Sequence, residues 1–153
     1  MPMLSRPESV LPAGEGWLYE PKYDGFRALV HRDGDRLEID SRSGKLLTPY
    51  FADLTSSLRA ALPRRCVLDG EIVAGDDEGL NFERLQMRFA RADAQAPAGV
   101  TAFIAFDLLA IGNDDLTRRA FVTRRRRLED AVHEGPRVVV TRRPTAPMPP
   151  NPG

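Results

Sequence analysis

The spacing of apolar residues changes along the chain and predicts the order of its strands and helices. Residues 17–30 alternate apolar and polar side chains in places, with a turn at Asp24-Gly25, which predicts two short strands. Asp33-Gly34-Asp35 predicts a hairpin turn between residues 26–31 and 37–40. We therefore expect the chain to begin with antiparallel sheet.

Helical spacing appears further along, between segments with the composition of buried strands. Apolar residues recur every three or four positions within 50–62 until Pro63 ends the pattern, which predicts an amphipathic helix. The other predicted elements are strands at 66–74, 101–111 and 137–141, a turn at 112–115, a helix capped by Asn81 that includes Phe82, Leu85 and Phe89, and a basic helix at 118–132. This irregular alternation indicates an α+β fold.

The end of the chain differs from the rest. Six of the 13 prolines lie from Pro136 onward, and residues 145–153 have no periodicity that would build a packed element. The sequence therefore predicts one domain at residues 1–141 and a disordered, proline-rich tail at residues 142–153.

Composition limits the class of protein. Hydrophobic residues make up 42% and charged residues 29% of the chain, as in ordinary globular domains, and no apolar run reaches the length of a membrane span. A single cysteine, Cys66, excludes an internal disulfide and a cysteine-based zinc cluster. The net charge is zero, so binding to nucleic acid requires a local basic patch. We expect a cytoplasmic monomer.

Lysine is rare, and this restricts covalent chemistry. Among the 22 basic residues only Lys22 and Lys45 are lysine. Arginine stays protonated at any usable pH, whereas a lysine amine can lose its proton and act as a nucleophile. Only these two side chains are candidates for a lysine-linked intermediate. The basic run 124–127 is most simply a solvated helix face, with a contact to a phosphate backbone as the alternative.

The first candidate motif is Glu20-Pro21-Lys22-Tyr23-Asp24-Gly25-Phe26-Arg27. A lysine beside a glycine turn would be presented at the edge of the sheet. A nearby cationic group lowers the proton affinity of the amine, and an arginine five residues later can hold the phosphate that the amine attacks. The alternative is a surface lysine next to a hairpin turn.

The second candidate is Asp69-Gly70-Glu71, which stands inside an apolar strand. Two carboxylates in such a strand are costly unless they bind a metal, a cation or hydroxyl groups. The alternative is a half-exposed strand in which one acid simply faces solvent.

Two weaker candidates are an aromatic strand and a polar loop. The rings of the segment Phe103-Ile104-Ala105-Phe106-Asp107-Leu108-Leu109 either pack in the core or form a wall for a nucleobase, and core packing is the commoner outcome. The loop Ser41-Arg42-Ser43-Gly44-Lys45 is able to hold an anion, although such loops are common.

Taken in order, these segments resemble the motifs of ATP-dependent DNA ligases, within the nucleotidyltransferase superfamily that also contains messenger-RNA capping enzymes. Residues 20–27 resemble the lysine nucleophile motif, 41–44 the arginine motif that follows it, 68–71 the central acidic motif and 103–109 the aromatic strand motif. The resemblance covers residues 3–141 and is strongest to bacterial repair-type ligases. It implies an α+β, ATP-grasp-like adenylation domain with antiparallel sheets flanked by helices, incomplete at its C-terminus.

The resemblance also implies a reaction and its residues. A lysine attacks the α-phosphate of ATP, the AMP passes to the 5′-phosphate of nicked double-stranded DNA, and a 3′-hydroxyl displaces it. Mg²⁺ is implied as the cofactor that neutralises the triphosphate charge. The implied roles are Lys22 as nucleophile, Glu20 beside the adenine edge, Arg27 and Arg42 on phosphate or ribose oxygens, Glu71 on the ribose and as candidate metal ligand, and Phe106 stacked on adenine.

The chain also departs from this family. Such ligases continue to a second glutamate motif, a lysine pair that contacts the α-phosphate and an oligonucleotide-binding barrel. Glu134-Gly135 resembles the start of the glutamate motif but follows the basic helix too soon and lacks the downstream lysine. We therefore expect a truncated chain that does not seal nicks and adenylates itself poorly. The alternatives are a non-catalytic nucleotide-binding remnant and an RNA ligase or capping-type nucleotidyltransferase.

Overall fold

The described part of the chain is built on one seven-stranded sheet. The computed structural model describes residues 25–76, 79–80, 83, 85–86 and 100–141. The strands are β1 (Phe26–Asp33), β2 (Arg36–Ser41), β3 (Arg65–Asp76), β4 (Gly79–Leu80), β5 (Val100–Ile111), β6 (Asp114–Asp115) and β7 (Val138–Val140). They lie in the order β2-β1-β3-β5-β6, with β4 paired to β3 and β7 to β5. The helices are α1 (Ala52–Ala61) and α2 (Phe121–Ala131), and a 3-10 turn spans Thr48–Tyr50.

The strand pairing confirms the predicted α+β fold. β1 and β2 form the expected hairpin, and Gly34 turns it with a φ of 63°, a conformation that glycine adopts without strain. β3 pairs with β1 on one side and with β5 on the other, both antiparallel. Among the described strands, only β7 runs parallel to its neighbour, β5. The helix α2 lies between these two strands in the sequence and returns the chain to the end of the sheet at which β5 begins.

The first predicted helix is confirmed, and it covers one face of the sheet. α1 begins after the 3-10 turn and buries Leu54 and Leu58 completely. Their spacing of four residues puts both side chains on the same face of the helix. They join buried residues of every long strand in a single core. Leu85 is helical and fully buried as predicted, whereas Asn81, Phe82 and Phe89 lie outside the described residues.

The predicted basic helix is confirmed as α2, but the prediction that its arginines are exposed to solvent is only partly right. The interpretation of residues 124–127 as a solvated face is wrong for two of the four arginines, because Arg124 and Arg125 are only 6% and 1% exposed. Arg125 donates hydrogen bonds to Glu129 at 3.1 Å and to Thr141. A buried arginine is tolerated when acidic or hydroxyl groups accept its hydrogen bonds.

Some sequence predictions fall beyond the part of the chain that the structure describes. These are the first predicted strand of segment 17–30 and the predicted tail at 142–153. Among the described residues, no helix is long and apolar enough to cross a membrane.

Candidate functional site

The face of the sheet opposite the core carries acidic and basic side chains from two of the predicted motifs. Arg27 on β1 is the direct partner of Glu71 on β3, and Leu29 is the partner of Asp69. Direct partners in an antiparallel pair project from the same face. The alternate residues Ala28 and Val30 are fully buried in the core. The hydrophobic alternation of β1 and β3 therefore assembles Arg27, Asp69 and Glu71 on one surface.

Arg27 is held by a two-point ion pair. Its Nε donates to Asp69 Oδ1 at 3.1 Å and its second terminal nitrogen donates to Asp69 Oδ2 at 2.5 Å. The Asp69 side chain is 3% exposed, whereas that of Arg27 is 24% exposed. The hydrogen bond to Asp69 raises the pKa of Arg27, with further attraction from Glu71 and Asp107 opposing the effect of burial. The guanidinium is thus charged, fixed in orientation and reachable from solvent.

The glycine of the acidic motif is required by close packing. An ideal Cβ on Gly70 would overlap the Ile104 carbonyl oxygen and lie 2.5 Å from Cζ of Phe103. Gly25, at the entrance to β1, is similarly placed, since its Cβ would overlap the carbonyl oxygen of Ile72 and approach Cγ of Glu71 to 3.0 Å. Both glycines therefore permit close approach of neighbouring backbone to the strand that bears Asp69 and Glu71.

The two aromatic rings of β5 have different environments. Phe103 is fully buried and belongs to the core, as the commoner outcome predicted. Phe106 is half-buried and lies outside that core. Asp69 pairs with Asp107 while Gly70 pairs with Ala105, so Phe106 is the extra residue of a β-bulge. Bulges redirect side chains and are frequent beside active sites.

The polar loop after β2 borders the same region. A cavity of about 390 Å³ is lined by Phe26, Arg27, Ser41, Ser43, Lys45, Leu47 and Gln86. The loop is closed by its own hydrogen bonds, from the Gly44 amide to the Ser41 carbonyl at 2.9 Å and from the Lys45 amide to Ser41 Oγ at 2.9 Å. These two amides are occupied within the loop, so an anion in this cavity would be bound chiefly by side chains.

One paired group of the site was missed by sequence reasoning. Asp107 is 6% exposed and accepts two hydrogen bonds from Arg124 of α2, at 2.9 and 3.1 Å. The buried acid within an apolar strand was a usable signal, since such a carboxylate requires a partner. The sequence did not show which residue pairs with Asp107, because several arginines lie on the same helix.

The structure brings together some of the predicted site residues. Arg27 and Glu71 are adjacent, Phe106 lies on the next strand, and Arg42 is exposed in the loop after β2. Glu20 and Lys22 lie outside the described residues, so their convergence with the others stays a prediction. No group of three or more potential metal ligands occurs among the residues that the structure describes.

Comparison with known proteins identifies the relatives of this chain. Residues 2–147 match the family described as ATP dependent DNA ligase domain. DNA ligase C of Mycobacterium tuberculosis is 47% identical over 135 residues, which are 86% of this chain and 37% of that protein. A DNA ligase of Thermococcus fumicolans is 33% identical over 137 residues, 86% of this chain and 24% of the relative. The chain thus spans less than half of the length of these relatives.

Solved structures give the same relationship. The ligase domain of Mycobacterium tuberculosis LigD matches with a TM-score of 0.65 and 28% identity, over 83% of this chain and 39% of that one. A mycobacterial DNA ligase D complexed with ATP and MES matches with a TM-score of 0.63 and 28% identity, over 83% and 40% of the two chains.

Proposed function

Since the chain belongs to the ATP-dependent DNA ligase family, we propose that it binds ATP on the Arg27–Glu71 face and transfers AMP to Lys22. The observation that carries the proposal is the adjacency of Arg27 and Glu71, which come from two motifs distant in sequence and are direct partners across β1 and β3. Arg27 is pre-oriented by Asp69, so a phosphate or ribose oxygen would meet a fixed guanidinium.

In the proposed reaction the Lys22 amine, after losing its proton, attacks the α-phosphorus of ATP. A nitrogen–phosphorus bond forms, the bond to the bridging oxygen of the β-phosphate breaks, and pyrophosphate leaves. Arg27 would stabilise charge on the phosphate oxygens during this step. Glu71 would accept hydrogen bonds from the ribose, Phe106 would stack on adenine, Arg42 would add a positive charge from its exposed loop, and Glu20 would lie at the adenine edge.

Mg²⁺ fits this site only together with the phosphates of the substrate. Protein Mg²⁺ sites often use one or two carboxylates, with phosphate oxygens and water completing the octahedron. Asp69 is bound through both oxygens by Arg27, and Glu71, the residue opposite Arg27 across β1 and β3, is the carboxylate proposed to contribute. When bound there, Mg²⁺ would neutralise charge on the leaving pyrophosphate.

A labelling experiment tests the proposal. The chain is incubated with ATP labelled at the α-phosphate and Mg²⁺, then separated by denaturing electrophoresis. Label should remain on the protein, be lost in acid as expected of a phosphorus–nitrogen bond, and disappear in Lys22→Ala. Lys45→Ala is the matched control, since Lys45 is the only other lysine. Label that persists in Lys22→Ala and vanishes in Lys45→Ala would overturn the assignment of the nucleophile.

A second candidate is nucleotide binding without transfer. It is favoured by the position of Arg27, Glu71 and Phe106, which lie on adjacent strands and could hold a nucleotide without the nucleophile. In that case ATP would bind to the chain in calorimetry while no covalent label formed. ATP binding that is weakened by Arg27→Met and accompanied by Lys22-dependent label would favour the first proposal.

We propose that the AMP is passed to the 5′-phosphate of nicked double-stranded DNA, and that the nick is then sealed. The net charge of the chain is zero, so attraction to DNA depends on local arginines and should weaken steeply with salt. A nicked duplex labelled at its 5′-phosphate reports both AMP transfer and sealing. A nicked RNA duplex in parallel tests the RNA ligase alternative, which predicts preference for RNA.

A further inference from the structure

Two buried carboxylates face each other at the centre of the site. Asp69 and Asp107 are direct partners across β3 and β5, and they are 2% and 6% exposed. Like charges directly opposite each other repel, and burial removes the water that would screen them. Such an arrangement is stabilised when each carboxylate has its own cation.

Each acid is indeed bound by a separate arginine in the same two-point manner. Arg27 contacts both oxygens of Asp69. Arg124 contacts both oxygens of Asp107 and also donates to the Arg119 carbonyl at 2.6 Å, so three of its donor contacts are defined. The Arg124 side chain is only 8% exposed. This contact joins α2 to the strand that carries the aromatic motif.

The position of Asp107 gives this contact a consequence for the site. Asp107 directly follows Phe106, the extra residue of the bulge between Ala105 and Asp107. A bulged residue lacks a direct partner in the ladder, so its direction depends on how the flanking residues are held. Ala105 is held by the ladder and by the Thr141 amide, which donates to its carbonyl at 3.0 Å. Asp107 is held by Arg124.

We propose that Arg124 is a positioning residue for the nucleotide base, which acts through Asp107 to fix the bulge and thereby the direction of the Phe106 ring. The inference rests on the proposed function, in which Phe106 stacks on adenine. Arg124 itself does not touch ATP in this arrangement. Its loss would release the bulge and leave the direction of the Phe106 ring unfixed.

The test is a double-mutant cycle on the full 153-residue chain, with affinities measured by titration calorimetry. Arg124→Lys keeps the charge but loses the planar two-point contact. Since stacking of one base on an aromatic ring is worth about 1–3 kcal/mol, Phe106→Leu should weaken ATP binding by about tenfold. Arg124→Lys should weaken it by a similar factor in the wild type and by less than about twofold in the Phe106→Leu background. Inorganic tripolyphosphate, which has no base, should bind all variants equally.

Two further variants guard against a trivial loss of folding. Leu58→Ala is the control for destabilisation alone, because Leu58 is fully buried on α1, in the core on the face of the sheet opposite the site. It should lower the melting temperature without changing ATP affinity. The double variant Asp107→Asn, Arg124→Gln removes both charges together, which avoids an unpaired buried ion, and should reproduce the loss in ATP affinity.

The outcomes separate this inference from the proposed function. If Phe106→Leu weakens ATP binding but Arg124→Lys does not, the positioning role is wrong and the site stands. If Arg124→Lys weakens ATP binding equally in the wild type and in the Phe106→Leu background, Arg124 has a merely structural role. Equal losses of affinity for ATP and for tripolyphosphate would show the same. If Phe106→Leu leaves ATP affinity unchanged, the adenine site itself is wrong, and the positioning role is overturned with it.

Discussion

Gly70→Ala should destabilise the chain, because the added methyl group would overlap atoms of the neighbouring strand β5. The new Cβ would lie 2.5 Å from Cζ and 2.8 Å from Cε2 of Phe103, and it would overlap the Ile104 carbonyl oxygen. Carbon atoms normally sit about 3.5–4.0 Å apart, so the ring would have to retreat by roughly 1 Å. Phe103 is fully buried, which leaves no space for that movement.

The expected magnitude follows from these contacts. Overpacking a core with one methyl group costs about 1–3 kcal/mol, and strain on the β3–β5 ladder adds about 0.5–1.5 kcal/mol for a weakened hydrogen bond. The intrinsic preference for alanine over glycine in a strand offsets about 0.5–1 kcal/mol. The net loss in the free energy of unfolding should be about 2 kcal/mol, within a range of about 0.5–4 kcal/mol, and 2 kcal/mol corresponds to roughly 4–8 °C in melting temperature for a chain of this size.

Urea unfolding followed by circular dichroism measures this loss. Gly135→Ala is the matched control, because its Cβ would meet no atom within 4 Å and its φ is not positive, so stability should change by less than about 0.5 kcal/mol. Phe103→Leu removes the clashing ring atoms but not the Ile104 carbonyl, so it should relieve the effect of Gly70→Ala only in part. A Gly70→Ala chain within about 0.5 kcal/mol of wild type would refute the reasoning from close approach.

Three further perturbations test the core and two titrating groups. Leu58→Ala should cost about 2–5 kcal/mol because Leu58 is fully buried, whereas Leu46→Ala, at a side chain 49% exposed, should cost less than about 0.5 kcal/mol in the same urea titration. Burial raises the pKa of the Cys66 thiol from 9.0 to about 11. The unfolded chain therefore loses this proton first, and the free energy of unfolding should fall by about 2–3 kcal/mol as the pH rises from 9 toward 11. Cys66→Ala should lack that loss, and parallel pH profiles of the two chains would contradict the prediction. Hydrogen bonds from the side chain and amide of Thr117 lower the pKa of Asp115, so Asp115→Asn should reduce the melting temperature at pH 7, with the difference from wild type shrinking as the pH falls through the range in which the carboxylate is protonated.

Local sequence patterns predicted most of the described elements because each element depends on few neighbours. The Asp33-Gly34-Asp35 turn specified its hairpin, and the spacing of Leu54 and Leu58 specified a helix with one buried face. The boundaries moved by at most three residues, as for the helix predicted at 118–132 and found at Phe121–Ala131. The parallel pairing of β7 with β5 was beyond such patterns, because register between distant strands is a tertiary property.

The candidate site was predictable to the extent that its proposed chemistry is carried by residue types within one segment. Arg27 and Glu71 were identified from their motifs, and the structure pairs them across two strands. Alternation along a regular strand puts Phe103 and Phe106, three positions apart, on opposite faces, but the strand alone does not show which face is the core. The bulge changes that geometry, and a bulge has no reliable signature in a single sequence.

The arginines of α2 show why charge patterns mislead when acids in other elements are ignored. Four consecutive arginines were interpreted as a solvated face, yet Arg124 lies against Asp107 and Arg125 against Thr141, which are 17 and 16 residues away in sequence. A run of like charges is stable in a buried position only if each charge meets its own acceptor, and the buried acid at Asp107 was the visible half of such a pair. An acid inside an apolar strand should therefore be read together with every nearby basic helix. For this chain that reasoning leads from Asp107 to Arg124 and, through the bulge between Ala105 and Asp107, to the ring of Phe106 on which the proposed nucleotide site depends.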